Sequence, residues 1–563
     1  MRSETPGDVG QTGVLIVGGG PVGLSAAVEL GGRGVRCLVV EPRTDVSRAR
    51  PRAKTTSVRS MEHFRRWGLA GRVREVAPLK VAWSQDIVFC TTLLGQEVTR
   101  FTDVLGLWTE RQEVSPEAGQ QVAQPLIEEV LRAAVAELDT VELALGWSLH
   151  VLEQDEGGVR AVLMDAAGGR RQVTAAYALG CDGARSAVRA AVGVRYQGTS
   201  DARANLGFVV RVPGLAERQP HGPAVQYWVL NPASPGLLGR MDLEDRWWGI
   251  VNGVAPDADP HALLNALVGA EVDAEILGTD PWTARMLLAE RYRSGRVFLV
   301  GDAAHLNPPW GGHGFNTGIG DAVNIGWKLA AVLAGWGGEE LLESYEAERR
   351  PVAERTIAEA ARNMSVLAPE LSDPHLIDPS ERGQVARRRA AEAVQAAKDG
   401  EFHSLGLVLG YQYGDSPVVV DDGSPAVPEG QHYHESARPG ARLPHAWLPD
   451  GRSLYDQLGP GFSLLRLRGD ANVTPFTEAA CERGVPLTVV ELAGQVDAAR
   501  YGAALLLVRP DQHVAWRGER ADPATASGVL DRVRGQSTPN AGPAFSETAP
   551  GAVTTLSATK KTS

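Results

Sequence analysis

Cysteine is scarce: Cys37, Cys90, Cys181 and Cys481 are the four in 563 residues. They form neither a CxxC pair nor a metal-ligand spacing, which argues against a disulfide framework, a zinc site or dithiol redox chemistry. Lysine is also rare, six residues, which leaves fifty arginines among the 56 cations. Against 68 acids these give a formal net charge of -12, the wrong sign for a nucleic-acid partner. No apolar run approaches the roughly 18 residues that span a bilayer. The opening segment MRSETPGDVG lacks the apolar core of a secretory signal. A cytoplasmic protein with no membrane partner is therefore expected. No internal repeat is visible. What remains is an ordinary globular composition, 43% hydrophobic and 22% charged, with length for roughly three or four domains.

Residues 13–41, GVLIVGGGPVGLSAAVELGGRGVRCLVVE, read as strand, tight turn, helix and strand. The run Val14–Val17 suits a buried parallel strand, and Pro21 suits the first turn of a helix. Gly18, Gly20 and Gly23 have the GxGxxG spacing in that confirming context, with Pro21 and Val22 between them. Gly18 permits the turn, Gly20 lets a pyrophosphate approach the backbone, and Gly23 lets helix pack on strand. Glu41 ends the second strand, followed by Pro42 and Arg43, and is placed to accept from ribose hydroxyls. An acid there disfavours a 2'-phosphate, leaving NAD or FAD.

A second restricted stretch discriminates between the two. RVFLVGD (296–302) is a strand ending in Asp302, and PPWGGHGFNTGIGD runs into a helix expected to begin near Asn316. A second set of amides, from Gly312, Gly314, Phe315 and Asn316, would face a ligand already held by the first turn. A long flavin dinucleotide needs such a second clamp and NAD does not, so FAD is expected, with Asp302 bonding ribityl or pyrophosphate-side hydroxyls. No cysteine or histidine is placed to attack the ring, so non-covalent attachment is expected.

Between these motifs, residues 82–101 and 203–290 alternate as antiparallel strands and form an inserted second domain. A long helix follows over 343–364, expected to break near Pro351. After about 405 a separate small α/β domain begins, and the Ser/Thr/Pro/Gly-rich segment 535–563 is expected to be disordered.

GGGPVGL, GCDGARSAVR (180–189) and GDAAHLNPPWGGHGFNTGIGDAVNIGWKLA together resemble the three fingerprints of single-component flavoprotein aromatic hydroxylases of the para-hydroxybenzoate hydroxylase type. PGARLPHAWLPDGRSLYDQLG and LLLVRPDQHVAWRG are similar to the thioredoxin-like extension of the phenol hydroxylase and aromatic polyketide hydroxylase branch. The resemblance implies an α/β chain with a Rossmann-like FAD-binding domain (12–81, 102–202 and 291–404) and an inserted antiparallel-sheet substrate domain (82–101 and 203–290). A thioredoxin-like C-terminal domain (405–534) and the 535–563 tail complete it. Without a dithiol, that domain is expected to serve packing or homodimer formation.

The resemblance further implies FAD, NADPH or NADH as a transient co-substrate, and O2. A small aromatic substrate would be hydroxylated through a C4a-hydroperoxyflavin, with an in-and-out movement of the flavin. Asp182 and Gly183 would belong to the motif that helps bind FAD and the nicotinamide pyrophosphate. Arg52 would lie along the FAD pyrophosphate and Gln124 beside the same cofactor. Pro309, Trp310 and His313 would line the reacting side of the flavin. Tyr227, Trp228 and Trp247 are candidate aromatic walls for the substrate. Two other readings remain open at this point: a catalytically silent flavoprotein that sequesters an aromatic intermediate, and a related flavin epoxidase or ring-opening monooxygenase. There is no second strand-GxGxxG-helix unit for a nicotinamide domain.

Overall fold

The computed structural model describes residues 10–48, 54–231, 234–365, 371 and 373–536. Its first layer grows from the strand Gly10–Val17, which pairs in parallel with Cys37–Glu41 on one side and Arg170–Gly180 on the other. Val141–Leu145 and Val297–Leu299 extend the parallel sheet outward. Every residue of Cys37–Glu41 is buried, as expected of a strand covered on both faces. The hairpin Trp147–Asp155 and Gly158–Asp165 adds antiparallel strands beside Arg170–Gly180. Helices Pro21–Gly31 and Gly314–Leu333 pack against each other across one face.

Two long strands, Tyr196–Arg211 and Glu275–Ala289, carry the chain out of this layer and back. They pair with each other and belong to a second eight-stranded sheet. It is largely antiparallel, although Ile87–Cys90 joins Gln226–Val229 in parallel. Because alternate side chains face opposite sides of a strand, this sheet carries two cores. One, against the helix Pro260–Val268, holds Val88, Tyr227, Leu238, Trp247 and Val251. The other, against the helix Glu381–Phe402, holds Ile87, Phe89, Trp228 and Leu237.

The helix expected to break near Pro351 runs from Glu339 to Ser365 straight through it. On the turn before the proline, Glu348 pairs with Lys328 and Arg509, and Arg349 with Asp321, all fully buried or nearly so. These anchors outweigh the lost hydrogen bond and ring clash, which cost about 3 kcal/mol in a free helix.

The C-terminal domain is thioredoxin-like. Phe462–Arg466 runs parallel to Leu487–Glu491 and antiparallel to Leu505–Val508, and Val514–Gly518 closes the four-stranded sheet. Helices Thr474–Glu482 and Pro523–Val533 share one of its cores with Trp327 and Trp336, which come from the Gly314–Leu333 helix and the turn after it. Trp327 and Trp336 both meet Phe462 edge-on, at 6.0 Å. Cys481 is exposed, and none of the four cysteines is bonded to another. Among the described residues no helix is long and apolar enough to cross a membrane, and no group of three or more metal-ligating side chains occurs. Residues 537–563 of the expected tail lie outside the described residues.

Candidate functional site

The first glycine turn is built by close approach. A Cβ on Gly18 would sit 2.3 Å from the Cys181 carbonyl oxygen, and one on Gly23 would sit 1.9 Å from that of Gly18. Glycine is thus required where the turn meets the Arg170–Gly180 strand and where the helix meets the turn. Gly20 is different: a Cβ there would meet nothing within 4 Å. It is the N-cap of the Pro21–Gly31 helix, with no side-chain cap. The first hydrogen bond of that helix is Leu24 N–H to Gly20 O, so the Val22 and Gly23 amides have no acceptor within it. Open backbone at a helix N-terminus is a cradle for an anion.

Glu41 is buried at the end of its strand and accepts from the Gly19 N–H at 2.8 Å, the Arg43 Nε at 2.7 Å and the Arg43 N–H at 3.0 Å. Burial alone would raise its pKa, but these donors hold the carboxyl below its ordinary range. Arg43 also reaches Glu128 at 3.2 Å. Glu128 lies one turn along the Gln124–Ala136 helix, so Gln124 opens that helix on the Glu41 side. Pro42 is exposed. Arg52 lies outside the described residues.

The GCDGARSAVR segment meets this turn from the adjacent strand. Asp182 accepts from the Val188 N–H through Oδ2 at 3.1 Å, while its Oδ1 is buried without a protein partner. Burial raises its pKa. Gly183, at φ 77°, also has open space where a Cβ would stand. Ser186 caps the short helix after it. Arg189 lies 3.8 Å over the Tyr196 ring and donates to Ala303 O at 3.2 Å. Tyr196 in turn donates to Asp302 O. The second and third motifs are thereby bolted together.

The third motif completes the cradle. Asp302 follows the strand Val297–Leu299 in a short turn, partly exposed. A Cβ on Gly301 would lie 3.1 Å from Val22, and one on Gly318 would lie 2.7 Å from it, so the two long helices start in contact. The second begins at Gly314, two residues before the expected Asn316, with His313 as an N-cap that supplies no side-chain bond. Its first internal bond is Thr317 N–H to His313 O. The amides of Gly314, Phe315 and Asn316 are therefore the orphan donors of its first turn. The Asn316 side chain does something the sequence did not suggest: it ties Gly312 O (2.8 Å), Thr55 O (3.2 Å), Ser57 N–H (2.9 Å) and Ser60 Oγ (2.8 Å) together. Two helix N-termini, an unpartnered Asp182 oxygen and the Glu41 carboxylate form a donor and acceptor set that fits an FAD pyrophosphate and its flanking hydroxyls.

Beside this cradle lies a cavity of about 130 Å3. Thr55–Val58, Gly311–His313 and Asn316 form one side of it. Asp103, Leu105 and Trp108 form another, and Phe402, Leu405, Val408, His432 and Tyr433 the rest. Apart from Asn316, the residues outside the glycine turn were not foreseen. They come together through distant segments, although Asp103 and Leu105 carry the mark of a constrained loop, φ 55° and 57°. His313 is 6% exposed with Nε2 unpartnered, and burial pushes its pKa down to about 4, so the ring is neutral. Pro309 is exposed and its carbonyl accepts from the Gly312 N–H at 3.0 Å. Trp310 packs edge-on against Trp282 at 6.0 Å.

The aromatic walls require a correction. Tyr227 and Trp247, both 0% exposed, belong to the core behind the sheet, against the Pro260–Val268 helix, and Tyr227 donates to Gly222 O at 2.6 Å. Trp228 faces the other way, stacked on Phe89 at 5.3 Å and edge-on to Phe402 at 6.1 Å. Trp248, next along the strand from Trp247, joins it there, half-buried and with Lys54 5.9 Å over its ring. Of this cluster Phe402 lines the cavity, while Trp228, Trp248 and Trp310 belong to the same cluster without lining it. Burial, with Arg240 nearby, pushes the Lys54 ammonium down to about 7.

Comparison with known proteins shows the family and the fold. The chain matches a family model described as FAD binding domain over residues 11–360 and one described as aromatic-ring hydroxylase, C-terminal, over residues 436–537. It is similar to tetracenomycin B2 monooxygenase-dioxygenase of Streptomyces olivaceus, 33% identical across 92% of this chain and 98% of the relative. Among solved structures it is similar to RebC soaked with chromopyrrolic acid and holding 7-carboxy-K252c, 36% identical across 94% and 100% of the two chains, with a TM-score of 0.87. It is also similar to aklavinone-11 hydroxylase in complex with FAD and aklavinone, 30% identical across 93% and 98%, with a TM-score of 0.79.

Proposed function

This chain belongs to the FAD-dependent aromatic-ring hydroxylases of the para-hydroxybenzoate hydroxylase type, and from that membership we propose that it hydroxylates a polyketide-like, multi-ring phenolic substrate with NAD(P)H and O2. The observation that carries the substrate class is the aromatic cluster at the edge of the cavity: Phe402 and Leu105 line the cavity and belong to one cluster with Trp228, Trp248 and Trp310, a surface suited to a flat multi-ring ligand. The relatives tetracenomycin B2 monooxygenase-dioxygenase and aklavinone-11 hydroxylase support the same class. Use of NAD(P)H fits a cytoplasmic setting.

Bound FAD supplies hydride acceptance and oxygen activation. The chain's own residues bind, orient and exclude water. Gly20 and the first-turn amides of its helix take the pyrophosphate, Glu41 the adenosine ribose, and Asp182 and Asp302 the remaining hydroxyls. The Gly314, Phe315 and Asn316 amides present a positive helix end to the polar edge of the flavin ring. His313, neutral and with Nε2 unpartnered, can exchange a hydrogen bond with a ligand in the cavity without bringing a charge into it. Trp228, Trp248, Trp310 and Phe402 keep water from the reacting face.

The test is NAD(P)H consumption under 18O2 across single-ring phenols and multi-ring phenols or quinone precursors. Multi-ring compounds should accelerate consumption and gain one 18O atom. Stimulation by single-ring phenols alone would refute the substrate class, and product without 18O would refute hydroxylation by this chain.

A further inference from the structure

Glu401 sits on the last turn of the Glu381–Phe402 helix, 2% exposed. A buried carboxylate needs partners on both oxygens, and its two differ in kind. Oε2 accepts from Lys398 Nζ at 2.8 Å; Oε1 accepts from the backbone N–H of Gly311 at 3.1 Å. Gly311 belongs to the 309–312 turn at φ 81°. The far end of that turn is fixed by Asn316 on Gly312 O, so Glu401 and Asn316 hold it from opposite sides. Lys398 is 1% exposed, donates to Asn363 O at 2.7 Å, and lies 4.8 Å over the Trp228 ring. The residue after Glu401, Phe402, lines the cavity and meets Trp228 and Phe101.

We propose that Glu401 is a positioning residue that ties the aromatic cluster at the cavity edge to the glycine turn beside the flavin site, so that a ligand pressing on Phe402 is felt at Gly311. This inference rests on the flavin site assigned above. Displacement of Phe402 moves Lys398 and Glu401 on one rigid helix, and the Gly311 amide follows its acceptor.

The experiment uses full-length holoenzyme and replaces the pair by apolar isosteres, Lys398→Met with Glu401→Met, a change that commonly preserves folding because no charge is left unpaired. Amide hydrogen exchange of the peptide spanning 309–316 is read without substrate, and product formed per NAD(P)H is read with it. The double variant should melt near the parent and keep FAD, yet exchange this peptide at least tenfold faster and couple severalfold less well. Glu401→Gln keeps an acceptor for Gly311 and should restore most of the exchange protection. Parent-like exchange in the folded double variant overturns the proposal. If the double variant does not fold, Glu401→Met and Glu401→Gln are read singly, and equal exchange of the 309–316 peptide in the two overturns it. A parent enzyme that hydroxylates no aromatic compound would instead refute the proposed function, while the exchange result would still decide the tether.

Discussion

Replacing Gly20 by alanine separates binding from folding. Its backbone, φ -78° and ψ -179°, is open to any L-residue, and the added Cβ meets no protein atom within 4 Å. The cost to the unliganded protein is therefore the loss of a good N-cap, about 0.5–1 kcal/mol, and the apoprotein should melt within about 2 °C of the parent. The methyl group stands where the dinucleotide pyrophosphate must approach the backbone. Crowding by one methyl costs about 1–3 kcal/mol, or about 5- to 150-fold in FAD affinity. Gly23→Ala is the contrast: its Cβ would stand 1.9 Å from Gly18 O, so the turn itself must shift and folded apoprotein should be lost. Titration of each apoprotein with FAD, followed by flavin fluorescence, reads the difference. A folded Gly20→Ala protein that binds FAD within threefold of the parent would refute the placement of the cofactor.

Trp248→Ala should raise the KM for the aromatic substrate and lower coupling with little change in melting, whereas Trp247→Ala should lose about 3–5 kcal/mol of stability and leave the KM of the surviving enzyme alone; the reverse pattern would overturn the assignment of sheet faces. His313 has its folded pKa pushed down to about 4 by burial against about 6.5 unfolded, so its neutral ring contributes stability that is complete above pH 6.5 and declines as pH falls towards 4, by up to about 3 kcal/mol. His445 and His513 are shifted the same way, to about 4, so His313→Gln should make the acid limb shallower without abolishing it. Urea unfolding at pH 7.5 and 4.5 measures this, and an unchanged difference would refute it. Arg509→Met strips Glu348 of two bonds at 2.6 and 2.8 Å and Asp511 of two at 3.0 and 2.6 Å. It should cost about 3–5 kcal/mol and lower FAD release and C-terminal unfolding together in a thermal scan; two separated transitions would show that the domains are energetically independent.

The cofactor turns were readable because their signals are local. Gly18, Gly20 and Gly23 sit between an apolar strand and a helix, and that strand-turn-helix context marks the turn even though the contact that demands glycine at position 18 comes from Cys181 on a distant strand end. The substrate wall was misread for a matching reason. Tyr227 and Trp228, like Trp247 and Trp248, are neighbours on a strand, so in each pair one residue must face each side, and two adjacent aromatics carry no parity of their own. Choosing the inward one requires knowing that the Pro260–Val268 helix covers one face and Glu381–Phe402 the other. Phe402, Leu405, Tyr433 and Trp108 reach the cavity only through folding of remote segments. Pro351 shows the limit of a local rule, since buried partners from two other segments, Asp321 and Lys328 on one helix and Arg509 in the C-terminal domain, decide that turn.

The C-terminal domain is embedded in the rest of the molecule. One helix, Gly314–Leu333, offers its first turn to the flavin site and lends Trp327 to the distant domain's core, while Glu348 and Glu62 accept from Arg509 and Arg442 of that domain. For recombination between relatives, a crossover near residue 405 is therefore poor. A chimera joined there would inherit a tryptophan socket and two carboxylates matched to arginines it no longer has. Exchange of the inserted strands between residues 204 and 283 leaves those partners together. Substrate range can be shuffled at that seam while the cofactor clamp and its C-terminal buttress travel as one inherited block.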